Sequence, residues 1–178
     1  MIKDPPLLTI RRDFPRPAAR DVAAFAAVPT GYAIDAMGGR GALDYRIKPL
    51  APADRVMVGV AVTCQCGPAD NLALFGALAA AGPGDILVAA TDSFTATSVT
   101  GVLLLGMAKN RGVAGFVTDG LVRDLVGVLG VGLPVYCAGV TPNSPVRNGP
   151  GTVGLPVVVG GTAVESGDLV LGDRDGVV

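Results

Sequence analysis

Apolar runs of strand length alternate along this chain with stretches of helical composition, and Gly or Pro marks nearly every junction. After an arm over residues 1–17, read as irregular, AARDVAAFAA has helical composition, and VPTGYAIDAMGG predicts a loop and a short helix closed by glycines. Val56 to Cys66 predicts the first long strand. Asp70 stands where it can cap a helix over NLALFGALAAA, which ends at Gly82 and Pro83, and ILVAA from Ile86 is the next strand. Ser98 or Thr100 is placed to cap a helix GVLLLGMAKNRG, whose last turn carries Lys109 and Arg111 as the helix dipole favours. VAGFVT at 113–118 reads as a buried strand, the turn Asp119-Gly120 leads into LVRDLVGVLG, and PVYCA at 134–138 is a further strand. From Thr141 the pattern changes to a loop, TPNSPVRNGPG, and then to short strands separated by glycine turns.

That rhythm predicts an α/β fold with a central part at 56–138 and a β-rich C-terminal layer. The 178 residues contain no internal repeat and no low-complexity linker, so a single domain over 1–178 is the economical organisation. With half of the residues apolar and only 16% charged, a substantial core can form.

Charge and composition then remove whole classes of function. Fourteen basic residues face 15 acidic ones, a net charge of −1, which leaves no excess to attract a nucleic-acid backbone or an anionic membrane surface. The absence of histidine excludes Ser-His-Asp and Cys-His catalysis and the HExxH zinc site. Lys3, Lys48 and Lys109 are the only lysines, and none has the apolar setting that a Schiff base requires. Cys64, Cys66 and Cys137 are too few for a disulfide scaffold and fit a reducing, cytoplasmic setting; the first two fall on one face of a strand, as core residues would. The opening MIKDPPLLTIRRDFPRP has no apolar core of a signal peptide. The uncharged span Leu125 to Val146 is broken by Gly127, Gly130, Gly132, Pro134 and Pro142, which predicts a helix, loop and strand in place of a membrane crossing.

The richest chemistry lies between Thr97 and Asp124. A helix beginning near Gly101 exposes the free N–H groups of its first turn, an anion site that glycine leaves approachable. Arg123 offers a fork for a carboxylate, and Asp124 offers a hard oxygen ligand for Mg²⁺ or Mn²⁺; together they suit a small oxo-acid. From spacing alone the same two residues more readily fit the polar face of a short helix, paired with neighbours. Asp92 and Asp119, at strand ends, can face a site or form turns; Gly82-Pro83-Gly84-Asp85 and Gly167-Asp168 read as turns, and Gly38-Gly39-Arg40-Gly41 as a loop without phosphate-loop chemistry.

GPGDILVAATD, TGVLL, RGVAGFVTDGLVRD, LPVYCAGVTP and ESGDLVLGDRDGVV, with TGYAIDAMGG and CGPADNLAL, resemble the regulator of ribonuclease activity A-like (RraA-like) family, which includes 4-hydroxy-4-methyl-2-oxoglutarate aldolases. The likeness runs from about Pro29 to Val178. It implies a swivelling β/β/α sandwich, a homotrimer or a hexamer of trimers, and sites at subunit interfaces. It also implies a class II lyase that cleaves or decarboxylates a 2-oxo acid to release pyruvate, as an aldolase with oxaloacetate decarboxylase activity alongside. In such an enzyme Arg123 would hold the enolate, Asp124 would hold a divalent metal, and the backbone N–H groups of Leu103 and Leu104, beside Gly101, would bind the carboxylate. Where those aldolases carry an acidic residue between the glycine and the two leucines, this chain has Val102, which can neither bind metal nor order a water. The resemblance leaves two other readings open: a non-catalytic regulator of a protein partner such as a ribonuclease, and the same pocket adapted to a metal-independent reaction.

Overall fold

A computed structural model of the chain describes Asp4 and residues 6–178. It begins with a short strand, β1 (Leu8–Ile10), and two short helices, α1 (Ala19–Ala24) and α2 (Thr30–Ala36). Then come β2 (Lys48–Pro49), β3 (Met57–Gln65), α3 (Leu72–Ala80) and β4 (Asp85–Ala90). The middle of the chain forms β5 (Ser98–Thr100), α4 (Val102–Asn110), β6 (Gly115–Thr118), β7 (Leu121–Val122), α5 (Leu125–Val131), β8 (Val135–Cys137) and β9 (Gly139–Val140). The last part is all β: β10 (Gly151–Val153), β11 (Val157–Val159), β12 (Thr162–Val164) and β13 (Leu169–Gly172).

The main sheet has the order β1-β10-β3-β4-β6-β8-β2, with β13 also paired to β3. Its centre, β3, β4, β6 and β8, is parallel, and each crossover carries one of the helices α3, α4 or α5. A parallel strand covered on both faces needs apolar side chains at every position, which is why ILVAA lacks polar alternation. Along β4, Leu87 and Ala89 point to one core, whereas Ile86, Val88 and Ala90 point to the other. The first core holds Leu74, Ala77, Leu104, Leu105 and Val128 from the helices; the second holds Val157, Val159 and Val164 of the antiparallel pair β11–β12, with Val170 and Tyr136. Helices thus cover one face of the sheet and strands the other, the β/β/α sandwich. Phe116 and Leu105 are completely buried in the helical layer, where truncation to alanine costs about 2–5 kcal/mol.

Three strands outside the main sheet, β5, β7 and β9, form a small parallel sheet. Thr100 is in register with Val122, so β5 and β7 end side by side. This places the start of α4 next to the start of α5.

Several local expectations are corrected. Residues 1–17 are not wholly irregular, because Leu8–Ile10 pairs in parallel with β10 (Leu8 to Gly151, Ile10 to Val153); Lys3 lies outside the described residues. Neither Ser98 nor Thr100 caps α4; both are strand residues, and Gly101 occupies the cap position without a side-chain bond. Arg123 and Asp124 do not lie on the face of a short helix: Leu121–Val122 is strand, and α5 starts only after Asp124. At α3 the cap position falls on Asn71, although Asp70 Oδ1 does accept the Leu72 N–H at 2.8 Å.

Cys64 and Cys66 are buried together with their sulfurs 3.8 Å apart, and the hydrogen bond between them and burial hold the Cys64 thiol well above its usual range. Burial pushes the Cys137 thiol up to about 11. All three thiols are buried packing groups, and the raised values at Cys64 and Cys137 are the opposite of what a reactive cysteine needs. No helix among the described residues is long and apolar enough to cross a membrane.

Candidate active site

The paired ends of β5 and β7 build the cleft. The Arg123 N–H donates to the Thr100 carbonyl at 3.0 Å, continuing the β5–β7 ladder by one step. Asp124 then turns the chain with φ 61° and ψ 43°, a left-handed conformation that Asp tolerates better than most residues, and its carbonyl accepts the Val128 N–H of α5 at 2.9 Å. Its side chain reaches back across the ends of both strands. Asp124 Oδ2 accepts the Val102 N–H at 3.3 Å, the first amide of α4, and lies 3.6 Å from Arg123 Nε. Arg123 Nη1 donates to Ser144 Oγ on the following loop.

Gly101 is the hinge of this arrangement. A side chain there would collide with Asp124 Oδ2 and come within 2.9 Å of Arg123 Cγ. Its extended backbone, φ −155°, is open to any residue, so the requirement is for space. The groups that exploit the bare Cα are Asp124 and Arg123 themselves, where the glycine in the sequence predicts room for a ligand. The helix start behaves as expected of a first turn: Leu105 N–H reaches the Gly101 carbonyl, while the N–H groups of Leu103 and Leu104 have no acceptor among the described residues.

Gly101, Leu103, Leu104, Arg123 and Asp124 all line one cleft of about 230 Å³, with Thr100, Asn71, Phe75, Ser144, Pro145 and Arg147 completing it. Thr100 is 2% exposed, and its hydroxyl is the only buried side-chain polar atom without a hydrogen-bond partner among the described residues. A buried hydroxyl left unpaired costs about 1–3 kcal/mol. Thr100 lies in the wall of the cleft. Larger hollows occur elsewhere, about 480 Å³ beneath β13, about 320 Å³ beside Pro49–Arg55, and about 380 Å³ beside α2, where Asp44 is paired with Arg46. The first is walled mainly by apolar side chains such as Phe25, Met37, Leu43 and Val170, and at the second Asp54 is paired with Arg174. Convergent charge and free donors single out the smaller cleft.

Sequence reasoning missed the far wall. Asp70, buried, takes the N–H groups of Asn148 and Gly149 on Oδ2 at 2.6 and 2.9 Å, so it clamps the loop that carries Ser144 and Arg147. The loop signal was legible in TPNSPVRNGPG; its contact with Asp70, more than seventy residues earlier, was not.

The remaining candidates serve the scaffold. Asp119 is buried and accepts Thr91 N–H, Thr91 Oγ1 and Ser93 N–H at 2.8, 2.9 and 3.0 Å, which fixes the loop after β4. Asp92 accepts from Gln65 Nε2. Asp85 pairs with Arg16, whose guanidinium is raised by that hydrogen bond, and Asp168 Oδ2 caps its own turn through the Glu165 N–H. Gly38, Gly39 and Gly41 adopt positive φ in the loop that follows α2.

A divalent metal would have Asp124 as its one protein carboxylate. Among the described residues no group of three His, Cys, Asp or Glu side chains is gathered anywhere. Asp124 Oδ1 accepts no hydrogen bond from the described residues, and the side chain is 41% exposed to the cleft. Mg²⁺ commonly keeps most of its waters and takes one or two carboxylates plus substrate oxygens, so this donor set fits a singly anchored ion. Val102 adds nothing to it. Its isopropyl group lies against Gly127 of α5, where a methyl would meet it at 2.9 Å, and it does not line the cleft.

Residues 18–178 match the RraA-like family, described as Aldolase/RraA. Over 153 residues the chain is 39% identical to a protein of Halalkalibacterium halodurans named "Putative 4-hydroxy-4-methyl-2-oxoglutarate aldolase", covering 86% of this chain and 72% of that protein. Among solved structures it is similar to the RNA-processing inhibitor RraA from Thermus thermophilis, with a TM-score of 0.76, 27% identity, and coverage of 84% of this chain and 90% of that one. It is also similar to Streptomyces coelicolor RraAS2, described as an unusual member of the RNase ES inhibitor RraA protein family, with a TM-score of 0.83, 30% identity, and coverage of 93% and 86%.

Proposed function

The chain belongs to the RraA-like family, and on that premise we propose that it is a carbon–carbon lyase that cleaves or decarboxylates a small 2-oxo acid. The observation that carries this reading is the register of Thr100 with Val122, which delivers Arg123, Asp124 and the open amides of α4 to one cleft.

Each group has a definite task. The amides of Leu103 and Leu104 receive the substrate's 1-carboxylate, with the Thr100 hydroxyl as a further donor. Arg123, oriented by Ser144 and Asp124, aims its remaining N–H groups at the 2-oxo oxygen. When the bond beside C3 breaks, its electron pair moves toward that oxygen, and the guanidinium offsets the enolate charge. A metal held by Asp124, when bound, supplies Lewis-acid polarisation of the same ketone. Removing one such preorganised charge typically costs about 10²–10³-fold in rate.

The proton inventory separates the two reactions. Retro-aldol cleavage must remove the proton of the 4-hydroxyl, whereas decarboxylation releases CO₂ and needs no base to start; in both, water entering the open cleft then delivers a proton to C3 of the enolate to give pyruvate. Asp124 is the only carboxylate lining the cleft among the described residues; its Oδ2 is engaged by Val102 N–H and Arg123, and its Oδ1 is the oxygen proposed for the metal. The residues of one chain therefore favour decarboxylation over retro-aldol cleavage. Pyruvate release is measured from oxaloacetate and from 4-hydroxy-4-methyl-2-oxoglutarate, after chelation and again after Mg²⁺ is restored. Turnover that returns with the metal is expected, faster on oxaloacetate; no release above the spontaneous rate from either compound overturns the reading.

The names of the two solved relatives favour a second reading, regulation of a ribonuclease by direct binding. Leu103 and Met107 on α4 and Val126 and Leu129 on α5 expose apolar surface, which suits either a protein partner or assembly into a homotrimer or hexamer. Recovery of a ribonuclease by the purified chain, together with absence of turnover, is the result that selects regulation. A reducing cytoplasm is the setting we propose for either role.

A further inference from the structure

Arg147 is built into the far wall of the cleft by uncharged groups alone. Its guanidinium carbon lies 4.0 Å from the centroid of the Phe75 ring, a cation–π contact. Its Nε donates to Asn71 Oδ1 at 3.4 Å. Asn71 is itself buried, and its Nδ2 donates to the Val99 carbonyl at 3.1 Å, which fixes the amide so that the oxygen faces Arg147. The loop beneath is clamped by Asp70. By contrast Arg16, Arg46 and Arg174 each bond a carboxylate. Neither terminal nitrogen of Arg147 has an acceptor among the described residues.

The charge balance of the cleft follows directly. Arg123 and Arg147 bring two positive charges and Asp124 one negative, before the open amides and the Thr100 hydroxyl are counted. A monoanion with one carboxylate satisfies the Arg123 side and leaves Arg147 unused. A dianion satisfies both.

We infer that Arg147 is the specificity-determining residue of this site, selecting 2-oxo acids that carry a second carboxylate at C5, beyond the C3–C4 bond that breaks and apart from the C4 carboxylate that oxaloacetate loses as CO₂. The inference rests on the oxo-acid reading above. Asn71 and Phe75 act as positioning residues, because they touch the guanidinium and hold its fork toward the cleft. The fork then takes the distal carboxylate through two charge-assisted hydrogen bonds, which a point charge reproduces poorly.

Calorimetric titration in the presence of Mg²⁺ tests this with two unreactive ligands, 2-oxoglutarate and 2-oxobutanoate, which share the oxo-acid end and differ in the second carboxylate. The wild-type chain is expected to prefer 2-oxoglutarate. Arg147→Met, whose unbranched apolar side chain can still cover Phe75, is expected to lose about 10- to 100-fold in affinity for 2-oxoglutarate while binding 2-oxobutanoate as before. Arg147→Lys should recover only part of the loss, and Arg123→Met should weaken both ligands. If both ligands bind and Arg147→Met leaves their ratio unchanged, the assignment of Arg147 is overturned and the oxo-acid reading stands. If the wild-type chain binds neither ligand, both fail together.

Discussion

Asp124 occupies the space that a side chain on Gly101 would need, and its carboxylate closes onto the first amide of α4 at 3.3 Å. A glycine at the end of one strand and an aspartate at the end of its neighbour are thus a single fitted pair. Gly101→Ala should displace the carboxylate and the Arg123 stem, at about 1–3 kcal/mol of stability, the usual cost of overpacking. Activity should fall by a larger factor than stability explains, because both reacting-end groups move. Chemical denaturation beside steady-state kinetics checks the two effects separately.

Thr100 offers a test whose sign is informative. Its hydroxyl is buried without a partner, so Thr100→Val should leave stability unchanged or raise it by about 1 kcal/mol. If the hydroxyl serves a ligand, the same change should raise KM. A loss of stability on this substitution would show that the hydroxyl has a structural partner.

Asp70 holds the far wall through three backbone N–H groups, those of Leu72, Asn148 and Gly149. Asp70→Ala leaves all three donors without their acceptor at once and should cost about 2–4 kcal/mol, since part-buried N–H groups lose a charged partner. KM should rise with it, as Ser144 and Arg147 ride on the released loop. Thermal unfolding and kinetics on the same sample distinguish a loosened wall from a globally unfolded chain.

Asp173 gives a pH dependence. Burial tends to raise its carboxyl, but hydrogen bonds from Thr30 N–H and Oγ1, at 2.9 and 2.8 Å, together with the N–H groups of Asp175 and Gly176, hold it below the usual range. The unfolded chain therefore binds the proton more readily in the window between the two values. This contribution is present in full above the ordinary carboxylate pKa and is lost as pH falls through the lower folded value. Asp173→Asn should reduce stability at neutral pH, and the gap from wild type should narrow as the pH is lowered through that window. A constant gap across acid pH would contradict the assignment.

Much of the scaffold was legible because parallel strands covered on both faces leave uninterrupted apolar runs, as in ILVAA and GFVT, and glycine ends the intervening helices. The Arg123-Asp124 pair was legible as chemistry but was open to placement on a helix. What decided its place was the pairing of Ser98–Thr100 with Leu121–Val122, a three-residue strand too short to announce itself beside the residues that can cap a helix. Leu8–Ile10 escaped for a related reason: its partner, Gly151–Val153, lies more than 140 residues away. Arg147 meets Asn71 and Phe75 only through the loop clamped by Asp70, and no local periodicity records such a contact.

The central claim is that Arg123 stabilises the charge left by breaking a bond beside a 2-oxo group, and the most direct test is pyruvate release from oxaloacetate by the wild-type chain and Arg123→Ala at fixed Mg²⁺. The account predicts that the wild type exceeds the spontaneous rate and that the substitution lowers kcat by about 10²–10³-fold without unfolding the protein. An Arg123→Ala protein that releases pyruvate as fast as the wild type would contradict it.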